Sequence, residues 1–135
     1  MANALYPLWK EQLLQFTTNN NLSSGTVKVA LIDTGTYTYS AAHQFWSSAS
    51  ASDVGTPQTL TGKTFTNGVF DSTTNPVFTA VTGNSIEALI IYIDTGVEAT
   101  SPLVAYIDTS VTGLPVTPNG GDITITWNAS GIFAL

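Results

Sequence analysis

Cysteine and arginine are both absent from the sequence, and only three lysines stand against nine acidic side chains. Without cysteine the chain cannot form disulfides, thiol nucleophiles, iron–sulfur clusters or cysteine-based zinc sites. A formal net charge of −6 leaves no basic stripe for a phosphate backbone, so we expect no nucleic-acid partner. The fold must be stabilised by packing, for which 43% apolar residues are sufficient.

Long hydrophobic runs are also missing. No apolar segment approaches the roughly 20 residues that a membrane span needs, and the N-terminus has neither the basic start nor the apolar stretch of a signal peptide. We therefore expect a soluble protein with no membrane partner, made in a cytoplasm. Its 135 residues correspond to a single domain.

Charged residues make up only 9% of the chain, whereas 22 threonines and 12 serines make up a quarter of it. Lysine commonly protects exposed sheet edges from unwanted pairing, and this chain has few lysines to place there. Hydroxyl-rich surfaces can pack against one another without stranding charges. The composition therefore favours a component of an assembly, and we expect a homo-oligomer.

A helical pattern occurs at the N-terminus, over residues 3–16. Leu5, Trp9, Leu13 and Phe16 are spaced by four, four and three residues, which places them on one face of an amphipathic helix, with Asn3 as its N-cap. A polar connector then leads to Gly25. We predict that residues 1–25 form a helix and linker arm, and that residues 26–135 form the main domain. The candidate contacts of this arm with a partner or a second copy are Leu5, Tyr6, Leu8, Trp9, Leu13 and Phe16.

Beyond residue 25 the sequence is rich in Thr, Val, Ile and aromatic residues that favour strands. The segment Ile86–Asp94 is apolar on both faces, which predicts a central strand, and Asn67-Gly68 predicts a hairpin turn. About eight strands with short turns predict a mainly β fold: a β-sandwich or jelly-roll-like domain with one N-terminal amphipathic helix, or alternatively a closed barrel. The predicted strands are Thr26–Asp33, Thr36–Tyr39, Thr61–Thr66, Val69–Phe70, Val77–Val81, Ile86–Asp94, Leu103–Asp108, Asp122–Trp127 and Ile132–Leu135.

Three similar segments follow strands: Ile32-Asp33-Thr34-Gly35, Ile93-Asp94-Thr95-Gly96 and Ile107-Asp108-Thr109-Ser110. Asp-Thr-Gly is the active-site signature of aspartic proteases, in which two carboxylates share one proton. The same residues also form turns, because the carboxylate accepts a backbone N–H while glycine adopts the turn conformation. The second segment arrives too soon for a two-lobed protease, so we favour the turns.

The single histidine, His43, lies near several aromatic residues in the segment between the first predicted strands. Tyr37, Tyr39, His43 and Trp46 are the candidate exposed loop contacts, since aromatic planes can stack on sugars, although core packing also accounts for aromatic residues. One histidine without cysteine supports neither a metal site nor a catalytic triad. We therefore expect no catalytic residue, no cofactor and no metal, and we expect that the protein is not an enzyme.

Several segments resemble small head proteins encoded by tailed bacteriophages, and the likeness extends over most of the chain. They are Met1–Tyr6 with Trp9-Lys10-Glu11, Val27–Thr34, Gly68–Asp71, Phe78–Gly83 and Pro118–Trp127. Within that group the chain is most similar to capsid decoration, or cement, proteins. These motifs are structural rather than catalytic.

The resemblance implies a virion protein on the outside of the capsid, synthesised in the bacterial host. Its expected partner is the major capsid protein, adjacent copies of which it would brace as a dimer or trimer. A tail-associated or host-recognition module that binds glycans is the alternative expectation, and an aspartic protease is a remote one.

Overall fold

The fold is built on a five-stranded antiparallel sheet, seen in a computed structural model that describes residues 3–135. The elements are β1 (Ala4–Leu5), α1 (Pro7–Gln15), β2 (Thr26–Ile32), β3 (Asp53–Thr59), β4 (Lys63–Thr64), β5 (Val69–Ser72), β6 (Val77–Phe78), β7 (Ala88–Asp94), β8 (Leu103–Ile107), β9 (Ile123–Thr124) and β10 (Phe133–Ala134). The strand order of the large sheet is β1-β8-β7-β2-β3, and two small sheets have the orders β10-β5-β4 and β6-β9. The prediction of a mainly β fold with one N-terminal helix is confirmed.

Strand β7 is the middle strand of the large sheet, as its two apolar faces predict. Its antiparallel pairing with β2 runs from Thr26 opposite Asp94 to Ile32 opposite Ala88. Every residue of β7 except Asp94 is buried. Both faces of the sheet are therefore covered by other parts of the chain.

The segment between β2 and β3 packs on the sheet face that carries Tyr92 and Tyr106. Trp46 stacks on Tyr92 with ring centroids 4.3 Å apart and planes within 4° of parallel, and Tyr39 lies 5.7 Å from Tyr106. The predicted strand Thr36–Tyr39 is wrong, because the chain turns back after β2: the N–H groups of Thr36 and Tyr37 both donate to the carbonyl of Asp33.

Strand β3 is the element that the sequence pattern misses. It contains Gly55 and Pro57, which usually indicate a loop. At the edge of a sheet, however, one side of a strand needs no partner, so a proline without an N–H can be accommodated. The pairing with β2 also shifts register between Val29 and Leu31, which marks an irregularity of the β2–β3 ladder.

The Asn67-Gly68 turn is confirmed. Both residues have positive φ, 55° and 75°, and they lie between β4 and β5, which pair antiparallel with Lys63 opposite Ser72. The small sheets contribute Phe70, Phe78 and Ile123 to the same core as the large sheet.

The N-terminal segment departs from its prediction. The helix begins at Pro7, not near Asn3, and Tyr6 precedes it without a side-chain cap. Asn3 instead contacts the turn after β8: its Oδ1 accepts the N–H groups of Asp108 at 2.7 Å and Thr109 at 3.0 Å. Strand β1 pairs with β8, so the segment before the helix belongs to the sheet.

Asp53, at the start of β3, is an acidic group in an unfavourable environment. Burial, together with the nearby Glu98 carboxylate, raises the pKa of Asp53 to about 7. Asp94 is in the opposite situation, because a hydrogen bond from Lys28, 2.8 Å away, lowers the pKa of this carboxyl. The two carboxyls therefore affect stability with opposite dependence on pH.

We predict that Asp53→Asn stabilises the protein at pH 8 and has little effect at pH 4. Between about pH 4 and about pH 7 the folded chain retains a proton on Asp53 that the unfolded chain has lost, so the free energy of unfolding falls as pH rises. After a discount for solvent screening, the gain at pH 8 should be about 1–2 kcal/mol. Thermal unfolding followed by circular dichroism at both pH values measures it.

Asp94→Asn is the matched control for this prediction. The stability that Asp94 contributes is present at neutral pH and is lost as pH falls through its lowered pKa. This variant should therefore be less stable than the parent at pH 8, and the difference should shrink as the pH falls through the lowered pKa of Asp94. If Asp53→Asn behaves like Asp94→Asn, Asp53 does not have a raised pKa.

Candidate docking groove and tyrosine pocket

The predicted arm is only partly available to a partner. Tyr6 and Trp9 have no exposed surface, and the N–H of Tyr6 donates to the carbonyl of Val104 on β8 at 3.0 Å. These two candidate contacts are therefore corrected: they belong to the core of this chain. Leu5, Leu8 and Leu13 are half-buried, whereas Phe16 is 94% exposed.

A groove lies beside the end of α1, with a volume of about 340 Å³. Its residues come from the helix, the connector to β2, the turn after β4 and the last residue of the chain. Phe16, Phe65 and Leu135 are large apolar side chains that are 94%, 44% and 72% exposed. The full lining is Trp9, Gln12, Leu13, Phe16, Thr17, Asn20, Asn21, Leu22, Ser23, Phe65 and Leu135. It contains no charged side chain.

The connector that forms one wall of the groove is not a free linker. Lys63 Nζ donates to the carbonyls of Leu22 at 2.6 Å and Gly25 at 2.7 Å, and Asn21 Oδ1 accepts the N–H of Ser23 at 2.8 Å. These bonds tie the connector to β4 and to itself. The sequence predicts that residues 1–25 form a separate arm. In the described part of this segment, β1 and the connector are hydrogen-bonded to the rest of the fold, and α1 packs on it through the contact of Trp9 with Phe133.

Phe16 combines two unfavourable properties. It ends the helix in the left-handed region, with φ 59° and ψ 38°, where glycine is the usual residue. A side chain other than that of glycine costs about 1–2 kcal/mol in this conformation. Its ring is also almost fully exposed to solvent, so the phenyl group contributes little to the core of the isolated chain.

A second concave site lies at the end of the sheet near Tyr106. It has a volume of about 260 Å³ and is lined by Thr34, Tyr37, Thr38, Tyr39, Glu87, Tyr106 and Asp108. Glu87 Oε1 accepts the N–H of Thr34 at 3.1 Å and its hydroxyl at 2.8 Å, while Glu87 Oε2 has no hydrogen-bond partner within residues 3–135. We call this site the tyrosine pocket.

The predicted loop contacts are divided between this pocket and the core. Tyr37 and Trp46 are 4% and 5% exposed, so their assignment as exposed contacts is corrected. Trp46 packs on Tyr92 and does not line the pocket. Tyr39 and His43 are half-buried. Of the four residues, Tyr39 is the one that both lines the pocket and retains exposed surface.

A chain of hydrogen bonds joins the two tyrosines of the core to His43. The Tyr6 and Tyr37 hydroxyls are 2.7 Å apart, and the Tyr37 hydroxyl is 2.9 Å from His43 Nδ1. Burial raises the pKa of Tyr6 and of Tyr37, so both hydroxyls remain protonated at neutral pH. These hydrogen bonds attach the segment between β2 and β3 to Tyr6, which directly follows β1.

The Asp-Thr-Gly segments form the turns that the sequence favours. Asp33 Oδ1 accepts the N–H of Gly35 at 2.8 Å, and Asp94 Oδ1 accepts that of Gly96 at 2.9 Å. Asp33 follows the last residue of β2, whereas Asp94 is paired with its first residue, so the two carboxylates lie roughly 20 Å apart. Asp33 Oδ2 also accepts a bond from Asn84. These two carboxylates cannot share a proton within one chain.

Residues 3–135 contain neither a cluster of metal ligands nor a membrane-spanning helix. No three His, Asp or Glu side chains in this range lie together so as to hold a metal ion. No helix there is long and apolar enough to cross a membrane. No protein-family model matches the chain, and no curated protein matches its sequence.

We predict that Phe16→Gly leaves the isolated protein as stable as the parent or stabilises it by about 1 kcal/mol, since glycine relieves the left-handed conformation and little buried contact is lost. Asn19→Gly is the matched control, because Asn19 also has positive φ, 67°, and no apolar ring. Its effect should be smaller, as asparagine tolerates this conformation. Chemical denaturation of both variants measures the change; clear destabilisation by Phe16→Gly would show that the ring supports the fold.

Proposed function

We propose that the protein is a structural component of a tailed-bacteriophage virion, a capsid decoration protein that binds the outside of the head and braces adjacent major capsid subunits. The resemblance of Val27–Thr34 and Pro118–Trp127 to small phage head proteins supports this role. So does a composition that is poor in charge and rich in hydroxyl groups. The proposal includes assembly as a dimer or trimer on the shell.

The observation that carries the proposal is the uncharged groove with its exposed apolar rim. Phe16, Phe65 and Leu135 are exposed together around one cavity, in a chain whose other large side chains are mostly buried. Clustered exposed apolar residues on a folded domain mark an interaction surface. Because no charged side chain lines the groove, covering it desolvates no ionised side chain of the lining.

We further propose that the large and small sheets form the jelly-roll-like sandwich of that protein class. The burial of β2 and β7 on both faces and the shared core with Phe70, Phe78 and Ile123 support a layered arrangement. Such a domain is rigid, because a core packed on both sides of its central strands resists deformation.

A rigid domain of this size can brace a shell without chemistry. One modest contact buries only about 800 Å² on each partner. When one oligomer contacts several capsid subunits, each further contact forms at a high effective concentration, so the array is retained although single contacts are weak. The bound protein thereby adds contacts that link neighbouring capsid subunits. These added contacts help the shell to resist the pressure of a packaged genome.

Imaging of intact particles of the phage that encodes the chain tests this role directly. We expect many regularly spaced copies on the outer surface of the head. Copies confined to the tail, or a particle without the chain, would refute the proposal. Cosedimentation with heads that lack the protein gives the second measurement, and we expect Phe16→Gly to weaken binding about 10- to 100-fold, since burial of a phenyl group contributes about 1.5–3 kcal/mol.

Deletion of the N-terminal segment is not a usable test of this interface. It would remove Tyr6 and Trp9 from the core and β1 from the edge of the sheet, so loss of binding would only report loss of folding. Point substitution at Phe16 avoids this problem, because its side chain is exposed.

A tail-associated, glycan-binding module is the second candidate, and the tyrosine pocket favours it. Tyr39 offers a partly exposed aromatic ring, and the half-buried Glu87 lines the same pocket. If this function is correct, the protein binds a glycan on an array of bacterial surface glycans. Tyr39→Ala and Glu87→Gln should each reduce that binding at least tenfold. Binding that neither variant changes, or no binding at all, would exclude the pocket as a glycan site.

A further inference from the structure

A third concave site lies between α1 and the bridge that pairs Phe45 with Pro102, and its volume is about 450 Å³. Small-molecule sites usually have volumes of about 300–1,000 Å³. Eight of its eleven lining residues carry an amide, a hydroxyl or a carboxylate, so we call this site the polar groove. The lining is Leu8, Glu11, Gln12, Gln15, Thr17, Thr18, Asn19, Gln44, Phe45, Thr100 and Pro102.

One wall of the polar groove is a single face of α1. The four helix residues in the lining are spaced by three, one and three positions, which is the pattern of side chains that share one helix face. These residues are Leu8, Glu11, Gln12 and Gln15. Trp9, which follows Leu8, lies on a different face and is fully buried. The helix therefore presents one carboxylate and two amides side by side to the groove.

The chain has four glutamines, and Gln12, Gln15 and Gln44 all line the polar groove. Within residues 3–135 the side chains of these three make no hydrogen bond, whereas Gln58 Nε2 donates to the carbonyl of Thr56 at 2.8 Å. Gln15 is exposed, and Gln12 and Gln44 are half-buried with none of their amide atoms sealed from solvent. A ligand in the groove can therefore reach amide groups that the fold leaves unused.

A neutral saccharide matches this lining. A primary amide both donates and accepts hydrogen bonds, and so does each sugar hydroxyl, so neighbouring amides can bond to neighbouring hydroxyls. The exposed Glu11 carboxylate can accept from a further hydroxyl, while the half-buried Leu8 and Phe45 offer apolar surface to the C–H groups of a sugar ring. Among the described residues no positively charged side chain lines the groove, so a phosphate, a sulfate or an acidic sugar would find no charged partner there.

A peptide bound through its main chain fits the polar groove less well. Such peptides usually add to an open strand edge. The wall formed by α1 has its main-chain groups bonded within the helix. The opposite wall is already paired: the N–H of Trp46 donates to the carbonyl of Ser101 at 2.8 Å, and that of Leu103 donates to the carbonyl of Gln44 at 2.9 Å. Recognition in this groove therefore depends on side chains.

We infer that the polar groove binds a neutral oligosaccharide, whose hydroxyl groups form hydrogen bonds with the side-chain amides of Gln12, Gln15 and Gln44. The Glu11 carboxylate accepts a further hydroxyl, and the sugar rings pack between the two walls of the groove. Saccharide binding at this place goes beyond the proposed capsid role and does not require it. It also uses a different site from the tyrosine pocket, since the two sites share no lining residue.

NMR titration of the ¹⁵N-labelled full chain tests the inference. The probes are neutral trisaccharides and tetrasaccharides of glucose, galactose, mannose, rhamnose and N-acetylglucosamine, each added separately. We expect at least one of them to shift the side-chain NH₂ signals of Gln12, Gln15 and Gln44 in a saturable way. The NH₂ signal of Gln58 should stay in place, because this residue does not line the groove. Binding of acidic oligosaccharides alone would overturn the inference.

Substitutions of single glutamines locate the bound sugar. Gln15→Ala and Gln44→Ala should each weaken binding of the active oligosaccharide about two- to tenfold, since each removes one amide that bonds to it. Alanine is the best helix former, so Gln15→Ala should remain folded. Gln58→Ala is the matched control, because it removes the one glutamine outside the groove, and it should leave the affinity unchanged. Equal losses in all three variants would overturn the inference.

Tyr39→Ala distinguishes the polar groove from the tyrosine pocket. This variant should bind the oligosaccharide as the parent does, because Tyr39 lines the pocket and not the groove. If Tyr39→Ala weakens binding while Gln15→Ala and Gln44→Ala do not, the sugar lies in the tyrosine pocket and the inference is wrong.

Two further outcomes would overturn the inference and leave the capsid role intact. One is that no oligosaccharide of the set shifts the three glutamine signals. The other comes from a counter-probe, a set of short uncharged peptides from the major capsid protein of the same phage. Glutamine signals that shift with a peptide but with no oligosaccharide would assign the polar groove to a protein partner. Conversely, a saccharide bound in the groove of a protein that imaging does not find on the head would refute the capsid role alone.

Discussion

The antiparallel pairing of β2 with β7 is the contact on which the rest of the molecule depends. Six of the seven residues of β7 and five of the seven residues of β2 are buried, so the sheet is stable only when each face is covered. The segment between β2 and β3 covers one face through Trp46 and the tyrosines, and its position is fixed by the Tyr6–Tyr37–His43 hydrogen bonds. The N-terminal strand is needed for those bonds. This dependence explains why a segment that looks like a detachable arm is part of the core.

Charged groups are few, and several of them bond to neighbouring parts of the chain. Lys63 holds the connector, Lys28 pairs with Asp94, and Asp33 and Glu87 each accept bonds from neighbouring turns. Solvent therefore meets mainly hydroxyl and amide groups. On such a surface an apolar rim is the strongest available source of binding free energy, and specificity has to come from shape and from a few directed hydrogen bonds. The groove beside α1 offers both.

The sequence predicted those features that depend on local pattern. The two apolar faces of Ile86–Asp94 indicated the central strand, and the Asp-Thr-Gly segments and Asn67-Gly68 indicated turns, because periodicity and turn chemistry act over a few residues. Edge strands such as Asp53–Thr59 carry a weaker pattern, since only one side is paired. The amphipathic spacing of Trp9 and Phe16 could not show whether the apolar face meets this chain's own sheet or a partner. The groove was beyond prediction, because it brings together residues as distant as Trp9, Phe65 and Leu135.

Phe16 shows how the interaction surface differs from the rest of the fold. At most positions the side chain suits both the local backbone and its surroundings, as in the alternation of β2 or the positive φ of Gly68. Phe16 suits neither: the left-handed backbone favours glycine, and water surrounds the ring. The ring lies beside the groove next to α1. A partner that covered this ring would remove it from water, and that gain would offset the cost of the left-handed backbone.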